Sequence, residues 1–494
     1  MTPFSVGSMF RRAFGERRKV RLVRRRPRLG LERLENRLAL AVTSFSLGVL
    51  TVDFNAASEA VTLSNDGTDI TLASSAPIIG DGPLFTTASV NRIVFSDTGA
   101  LAGQSLAFNV GTALTLSGGL LSTAVETVTF NNAITATGAS DIDVTAPQNI
   151  IVSANLTGGS GGLSLSANQQ LTPTIGNFIG VNVSGATITT TGNGNVSVTG
   201  RGGDTGFSNY GVRVQSAGQI TAGGSGTVTV TGTGGASSSG FNYGVYVDGA
   251  SAQITSSGGA VLVEGTGGGA GSGSGNLGVL VDSAGVITSA GIGASVTVTG
   301  LGGNTGGTGG SGNVGVYVNG ASSQITSSGG AVLVEGIGGG AGSSGGNHGV
   351  NVTSGVITSA GTGIGASVTV TGQGGNTGGT GGSNYGVHVD GASAQITSSG
   401  GAVLVEGIGG GAGSSSDNDG VLVEGSGVIT SAGTGIGASV TVTGLGGNTG
   451  GTGGSNVGVF VIGAGAQITS SGGAVLVGGI GGGAGSSSGN YGVY

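Results

Sequence analysis

Residues 242–264 read NYGVYVDGASAQITSSGGAVLVE, and the order of residue types in this stretch decides the fold. Three short runs, Gly244-Val-Tyr-Val247, Gln253-Ile-Thr255 and Ala260-Val-Leu-Val-Glu264, carry β-branched residues at alternating positions. Runs of period 2 bounded by Gly, Asn and Ser are strand signals, and no helical period competes with them. The first run returns ten times. The Val after its Gly falls at 181, 212, 245, 279, 316, 350, 387, 421, 459 and 493. Such a long repeat, built from short strands and glycine loops, is the signature of a stacked solenoid. The sequence therefore predicts an all-β, right-handed parallel β-helix with three short strands per rung of about 31–38 residues and Gly-rich loops.

Val245, Val247, Ile254, Val261 and Val263 occupy the positions that stay aliphatic from rung to rung, so they are predicted to point inward. Equivalent residues then stack at the strand spacing of ~4.8 Å. At roughly 1.5–3 kcal/mol per fully buried Val or Ile, five of them contribute on the order of 10 kcal/mol before chain entropy is subtracted. One rung alone does not survive that subtraction, so the rungs must occur together. Asn209, Asn242, Asn276, Asn313, Asn347, Asn384, Asn418, Asn456 and Asn490 each stand two positions before the Gly, and Asn177 stands one further away. These predict a column of side-chain amides, each donating to the next, in preference to glycosylation or ligand capture.

A second period is superposed on the first, because Ile254, Ile325, Ile396 and Ile468 mark alternate rungs that share a close sequence. The outward pair on the third strand alternates accordingly, Leu262 and Glu264 followed by Thr297 and Thr299. Glu on every second rung keeps like charges ~9.6 Å apart, near the Debye length. The same alternation interrupts any flat threonine lattice of the ice-binding kind. The loops, such as residues 265–272 and 302–310, read as too polar and glycine-rich to pack, and are predicted to fringe one edge as mobile flaps.

With 116 Gly, no Trp and 4% aromatics in 494 residues, the chain lacks the makings of ordinary globular cores. No Cys is present, which excludes disulfides and thiolate metal sites. Charge divides the chain: residues 1–40 hold 12 of the 15 Lys and Arg and balance at +9, whereas the remainder balances at −16. Three segments follow: a basic, disordered export-type head at 1–40, an irregular β region at 41–175 forming the N-terminal part or cap, and regular rungs at 176–494, truncated in the tenth. No apolar run is long enough for a transmembrane helix. Residues 38–52, LALAVTSFSLGVLTV, have the length of a signal-peptide core, or else include the first strand at 45–54.

Within the head, residues 29–40 read LGLERLENRLAL. This segment resembles the N-terminal L-E-x-L-E-x-R-x-L-L pattern of large secreted and surface proteins of planctomycete bacteria, through Leu31-Glu32, Leu34-Glu35, Arg37 and Leu38. Ala39 stands where the pattern has a second Leu. The body resembles the β-helical passengers of filamentous haemagglutinins and autotransporter adhesins, without the haemagglutinin secretion motif and without a membrane β-barrel. These resemblances imply a signal-directed, secreted or cell-surface protein associated with the cell envelope and bound to a surface, matrix or glycan ligand.

Chemistry-bearing residues are sparse. Beyond residue 40 the only basic groups are Arg92, Arg201 and Arg213, and the only imidazoles are His348 and His388. His348 takes the slot of Tyr243 or Val314, and His388 the exposed slot of Tyr246 or Leu422. A hydrolase or lyase needs carboxylates or a base gathered at a groove, so the reading is non-enzymatic, with no catalytic, cofactor-binding or metal residues assigned. Asp417 with Asp419, and Asp204, offer oxygens to calcium, but without a repeated Asp pattern they read as members of solvated loops. Nucleic-acid binding through the head finds no accompanying binding fold. The expected function is a structural, adhesin-like repeat protein; the alternative is a carbohydrate-binding or carbohydrate-cleaving β-helix, which needs a groove lined with carboxylates and aromatics.

Overall fold

The computed structural model describes residues 41–99, 102–306, 309–484 and 487–494. The basic head, with its export-type segment, lies outside the described residues. From residue 41 onward the chain winds into a parallel β-helix of about 13 turns with three sheets of 16, 15 and 12 strands. One rung visits all three: Val245–Asp248 in the first-strand sheet, Gln253–Ser256 in the second and Val261–Thr266 in the third. The next rung pairs in parallel register, Val245 with Val279, Ile254 with Ile287 and Val261 with Val296. The ten Val residues that define the repeat stand in one column, ending with the bridge from Val459 to Val493.

All five predicted inward residues of that rung are buried to within 1% of complete exclusion. The core is one aliphatic column several side chains wide, closed by a serine at the corner between second and third strands. Ser256 Oγ donates to Gly226 O at 2.7 Å and accepts from Gly259 N at 2.8 Å, and Ser289 and Ser327 repeat the donation one and two rungs on. Outward, Leu262 stacks on Thr297 and Glu264 on Thr299, so the two-rung alternation lies on one face.

The opposite corner, where the third strand ends and the next rung begins, has no room for side chains. Gly265 and Gly300 occupy inward-facing slots of the third strand, and a Cβ on either would overlap the carbonyl oxygen of Gly278 or Gly315 respectively. The Gly of the Gly-Val-x-Val motif is thus a packing residue. The loops beyond this corner correct the expectation of unpacked flaps. Gly303 N donates to Asn276 O at 2.8 Å, Gly339 N to Asn313 O at 2.7 Å, and each of these glycines lies against the loop backbone of the preceding rung so closely that a Cβ would collide with it. Glycine here removes side chains that would hold successive loops apart, so the loop bases stack as the strands do.

The amide column forms along that same edge. From Asn209 to Asn456, each Asn Nδ2 donates to Oδ1 of the next Asn at 2.9–3.3 Å. Oδ1 also accepts the backbone N–H of the preceding Asn, and the second Nδ2 proton closes the loop three positions back, as in Asn276 to Gly273 O at 3.0 Å. Both lone pairs and both protons are used. With 0% exposure from Asn209 to Asn456, these amides are closed to glycosylation and to ligands.

The N-terminal end is sealed by antiparallel strands. Ala41–Ser46 pairs with Val49–Asp53, and Ala60–Asn65 with Asp69–Ser74, which in turn pairs with Leu84–Thr86. Antiparallel hairpins cover two sheet edges that would otherwise be templates for another chain. The apolar run at 41–52 is used in this cap, with Leu50 and Val52 fully buried. From Arg92–Ser96 the pairing is parallel and passes residue 175 without a break. The core of these early turns is filled by larger side chains, Phe95, Phe108 and Phe130, the last two stacked at 4.9 Å.

Candidate functional site

Alternation along Val-x-Val turns the middle residue outward, and the residue before the motif Gly points to the same side. On the outer face of the first-strand sheet these two columns meet. Tyr210 stacks on Tyr243 at 5.0 Å, and Tyr246 stands edge-on to both. The Arg213 guanidinium lies 5.5 Å from the Tyr210 ring and 5.3 Å from that of Tyr246, and pairs with Asp248 at 2.7 Å. Leu277, Leu280 and Val314 then form a second, small apolar core outside the sheet, flanked by Tyr317. Further on, His348 stacks on Tyr385 at 4.8 Å, and His388 leans on both.

This packing corrects the expectation that His388 sits in an exposed slot. The register is as expected, with His388 beside Leu422, yet the two are 8% and 3% exposed. Strand alternation sends them outward, and the neighbouring column of large side chains then covers them. His348 is half-buried, and its Nδ1 accepts the Tyr385 backbone N–H at 3.3 Å. Burial, and next the neighbouring His388, hold its imidazole down at about 3. Desolvation also pushes the Tyr243 and Tyr246 phenols above their ordinary range.

The last residues of the first strands form a third column beside the rings, acidic at four of its positions. It includes Asp248, stacked on Asp282, and Asp390, stacked on Glu424. At the first pair, Arg213 holds Asp248, and Asn319 Nδ2 donates to Asp282 at 3.0 Å. At the second, His388 Nε2 lies 2.9 Å from Glu424 Oε1, and no described side chain bonds Asp390. The hydrogen bond from His388 is the main cause holding the Glu424 carboxyl below its usual range. His388, Asp390 and Glu424 offer ligand atoms within 4.8 Å of one another, the single such group among the described residues.

Two of the acids considered for calcium serve the backbone instead. Asp204 Oδ1 accepts from Gly176 N at 2.9 Å, and Asp419 Oδ1 from Val457 N at 2.7 Å. Asp419 fills the slot held elsewhere by Tyr385 or Val457, and burial pushes its carboxyl up to about 7 against the help of the Val457 N–H. The native state thus keeps a proton between pH ~4 and 7 that the unfolded chain releases, and this contribution to stability falls as pH rises through that window. His348 and Glu424, both depressed, act in the opposite sense and lose stability as pH falls. Asp419→Asn is therefore expected to leave a stability that climbs between pH ~4 and 6.5, where the parent is flatter. Hydrogen exchange of residues 419–424 across that range measures it; superimposable profiles would contradict the assignment.

Of the three basic residues in the body, Arg213 joins this face. Arg92 Nη1 donates to Gly118 O at 3.1 Å in the early turns, and Arg201 lies with Asp204 at one end of a different groove. That groove, of about 490 Å³, runs under the loops at 267–271 and 302–306 and is floored by Thr233, Thr266 and Leu301. It brings together neither rings nor paired carboxylates. Rings and carboxylates do meet on the first-strand face, but there the ring faces are covered by one another.

No family model, curated protein or solved structure matches this chain. No helix among the described residues is long and apolar enough to cross a membrane.

Proposed function

We propose that this chain is a non-enzymatic, secreted or cell-surface repeat protein of adhesin-like type, in which the solenoid is a stiff scaffold for repeated surface contacts. The observation that carries this reading is repetition without convergence. Outward side chains run in columns along the stack, so that Leu262 and Glu264 recur as Leu333 and Glu335 and as Leu404 and Glu406 on alternate rungs. A surface of that kind suits many weak contacts with another repetitive surface, where linkage multiplies modest affinities. Catalysis asks for the reverse, with unlike groups gathered around one bond.

The basic head and its resemblance to export-type segments support delivery to the envelope or medium. A mature chain beginning near Ala41 would keep the strand Ala41–Ser46 and with it the antiparallel cap. Fractionation of native cells, with mass spectrometry of the mature N-terminus, tests the proposal. The expected result is a chain in the envelope or medium that begins near Ala41; an intact basic head inside the cell would overturn it.

Glycan binding is the second reading, favoured by the tyrosines and histidines beside Asp248, Asp390 and Glu424. Mutual stacking of Tyr210 on Tyr243 and of His348 on Tyr385 leaves little ring face for a sugar, which ranks it second. Saturable binding on an array of acidic and neutral glycans, lost in Tyr246→Ala, would reverse that order.

A further inference from the structure

The two acidic stacks on the first-strand face differ in what balances them. In a parallel ladder, residues in register sit ~4.8 Å apart, and like charges placed so are destabilising. At Asp248 and Asp282 the protein supplies its own compensation, a guanidinium clamped between two tyrosine rings and an amide from Asn319. At Asp390 and Glu424 it supplies an imidazole. His388 stands where Tyr246 stands in the other stack, two positions before the acid on the same outward face. Its ring is fixed by Tyr385 and His348 at 5.0 and 5.4 Å, it is 8% exposed, and its Nδ1 has no hydrogen-bond partner.

We infer that His388, Asp390 and Glu424 form a binding site for a divalent first-row transition ion of the zinc class. One imidazole nitrogen and two carboxylate oxygens are a donor set that suits zinc better than calcium, which asks for six or more oxygens. Ligand atoms that share one zinc at ~2.0–2.2 Å lie roughly 3–4 Å apart. The three groups already lie within 4.8 Å of one another, so small side-chain rotations suffice. Two ligands come from one rung and the third from the next, so the ion would clamp neighbouring rungs and leave a coordination position open to water or an outside ligand.

Asp390 makes the test clean, because its carboxylate holds nothing else in place. Zinc is titrated calorimetrically into the untagged full-length protein and into Asp390→Asn and His388→Gln, with Co²⁺ visible absorption as a second readout. The expected result is saturable binding at one site, weakened at least tenfold in both variants, while the metal-free melting midpoint of Asp390→Asn is no lower than the parent's. Asp390→Asn keeps the His388–Glu424 pair, so loss of binding there cannot be blamed on that pair. No saturable binding by the parent, or binding that survives both substitutions, overturns the inference and leaves an ion pair with a neighbouring acid.

Discussion

Replacing Gly300 by alanine is expected to cost about 3 kcal/mol or more and to open the stack locally at the rungs on either side. Gly300 is the fifth residue of the strand Val296–Leu301, in an inward slot, and its missing Cβ is the space taken by the Gly315 carbonyl and the Val316 side chain. Most overpacked cores relieve themselves through side-chain rotation. Here the obstacle is backbone, held by the hydrogen bonds from Gly278 N to Val314 O and from Val316 N to Gly349 O, so relief means breaking the ladder. Stability in such arrays is a sum of nearest-neighbour terms, and the loss should be concentrated near residues 278–337. Hydrogen exchange read by mass spectrometry, with the melting curve, measures it. Gly363→Ala is the matching control, since its Cβ would meet nothing within 4 Å, and should change stability by less than ~0.5 kcal/mol. Equal effects at the two sites would refute the account of this corner.

Asn313→Ala is expected to cost roughly 2–4 kcal/mol, because it breaks the amide column in the middle. Asn313 Oδ1 accepts both the backbone N–H and Nδ2 of Asn276, at 3.0 and 3.2 Å, and its own Nδ2 donates to Asn347 Oδ1 at 3.0 Å. All three residues are at 0% exposure. Alanine leaves the Asn276 N–H buried without an acceptor, and water has no access to replace it. The consequence should appear as faster exchange of the Asn276 backbone and side-chain amides and a lower melting midpoint. A variant with parental exchange at both amides would show that the column is decorative.

The parts of this fold that are legible in the sequence are those that repeat with an unchanged residue type. Val245, Val247, Ile254, Val261 and Val263 announce the core because the same aliphatic residues return at five buried positions from one regular rung to the next, and the Asn column announces itself by position. The turns between Arg92 and residue 167 read as irregular for want of such constancy. Their rungs step from Leu120 to Ile142 to Leu163, and only then lengthen, reaching Val196 as the glycine loop enters. Shorter rungs without a motif, filled by Phe in place of Val, leave no period to recognise.

Glycine misleads for a physical reason. Composition links glycine to freedom, but Gly300 and Gly303 lie where successive backbones press together, and the residues that exclude a side chain there lie in other rungs. The burial of His388 is hidden similarly. Alternation correctly turns it outward, and only the register of neighbouring rungs, with Tyr385 and His348 beside it, shows that outward is not exposed. A signal is present in the aromatic residues that precede the motif Gly and follow its first Val. Likewise, Asp390 and Glu424 stand one repeat apart, and become neighbours once the motif valines, Val387 and Val421, are superimposed.

Rungs stack in parallel register, so that residues far apart in sequence lie at fixed multiples of the strand spacing. Because the chain has no Cys, spin labels can be placed at Glu264 and Glu406 through cysteine substitutions at these two positions, both exposed. Four ladder steps join them through Thr299, Glu335 and Thr371, which places their backbones ~19 Å apart. Pulsed electron paramagnetic resonance should give one narrow distribution near that distance, broadened only by the label arms. A broad distribution, or a maximum beyond what four ladder steps and two label arms can span, would contradict the stack and everything argued from it.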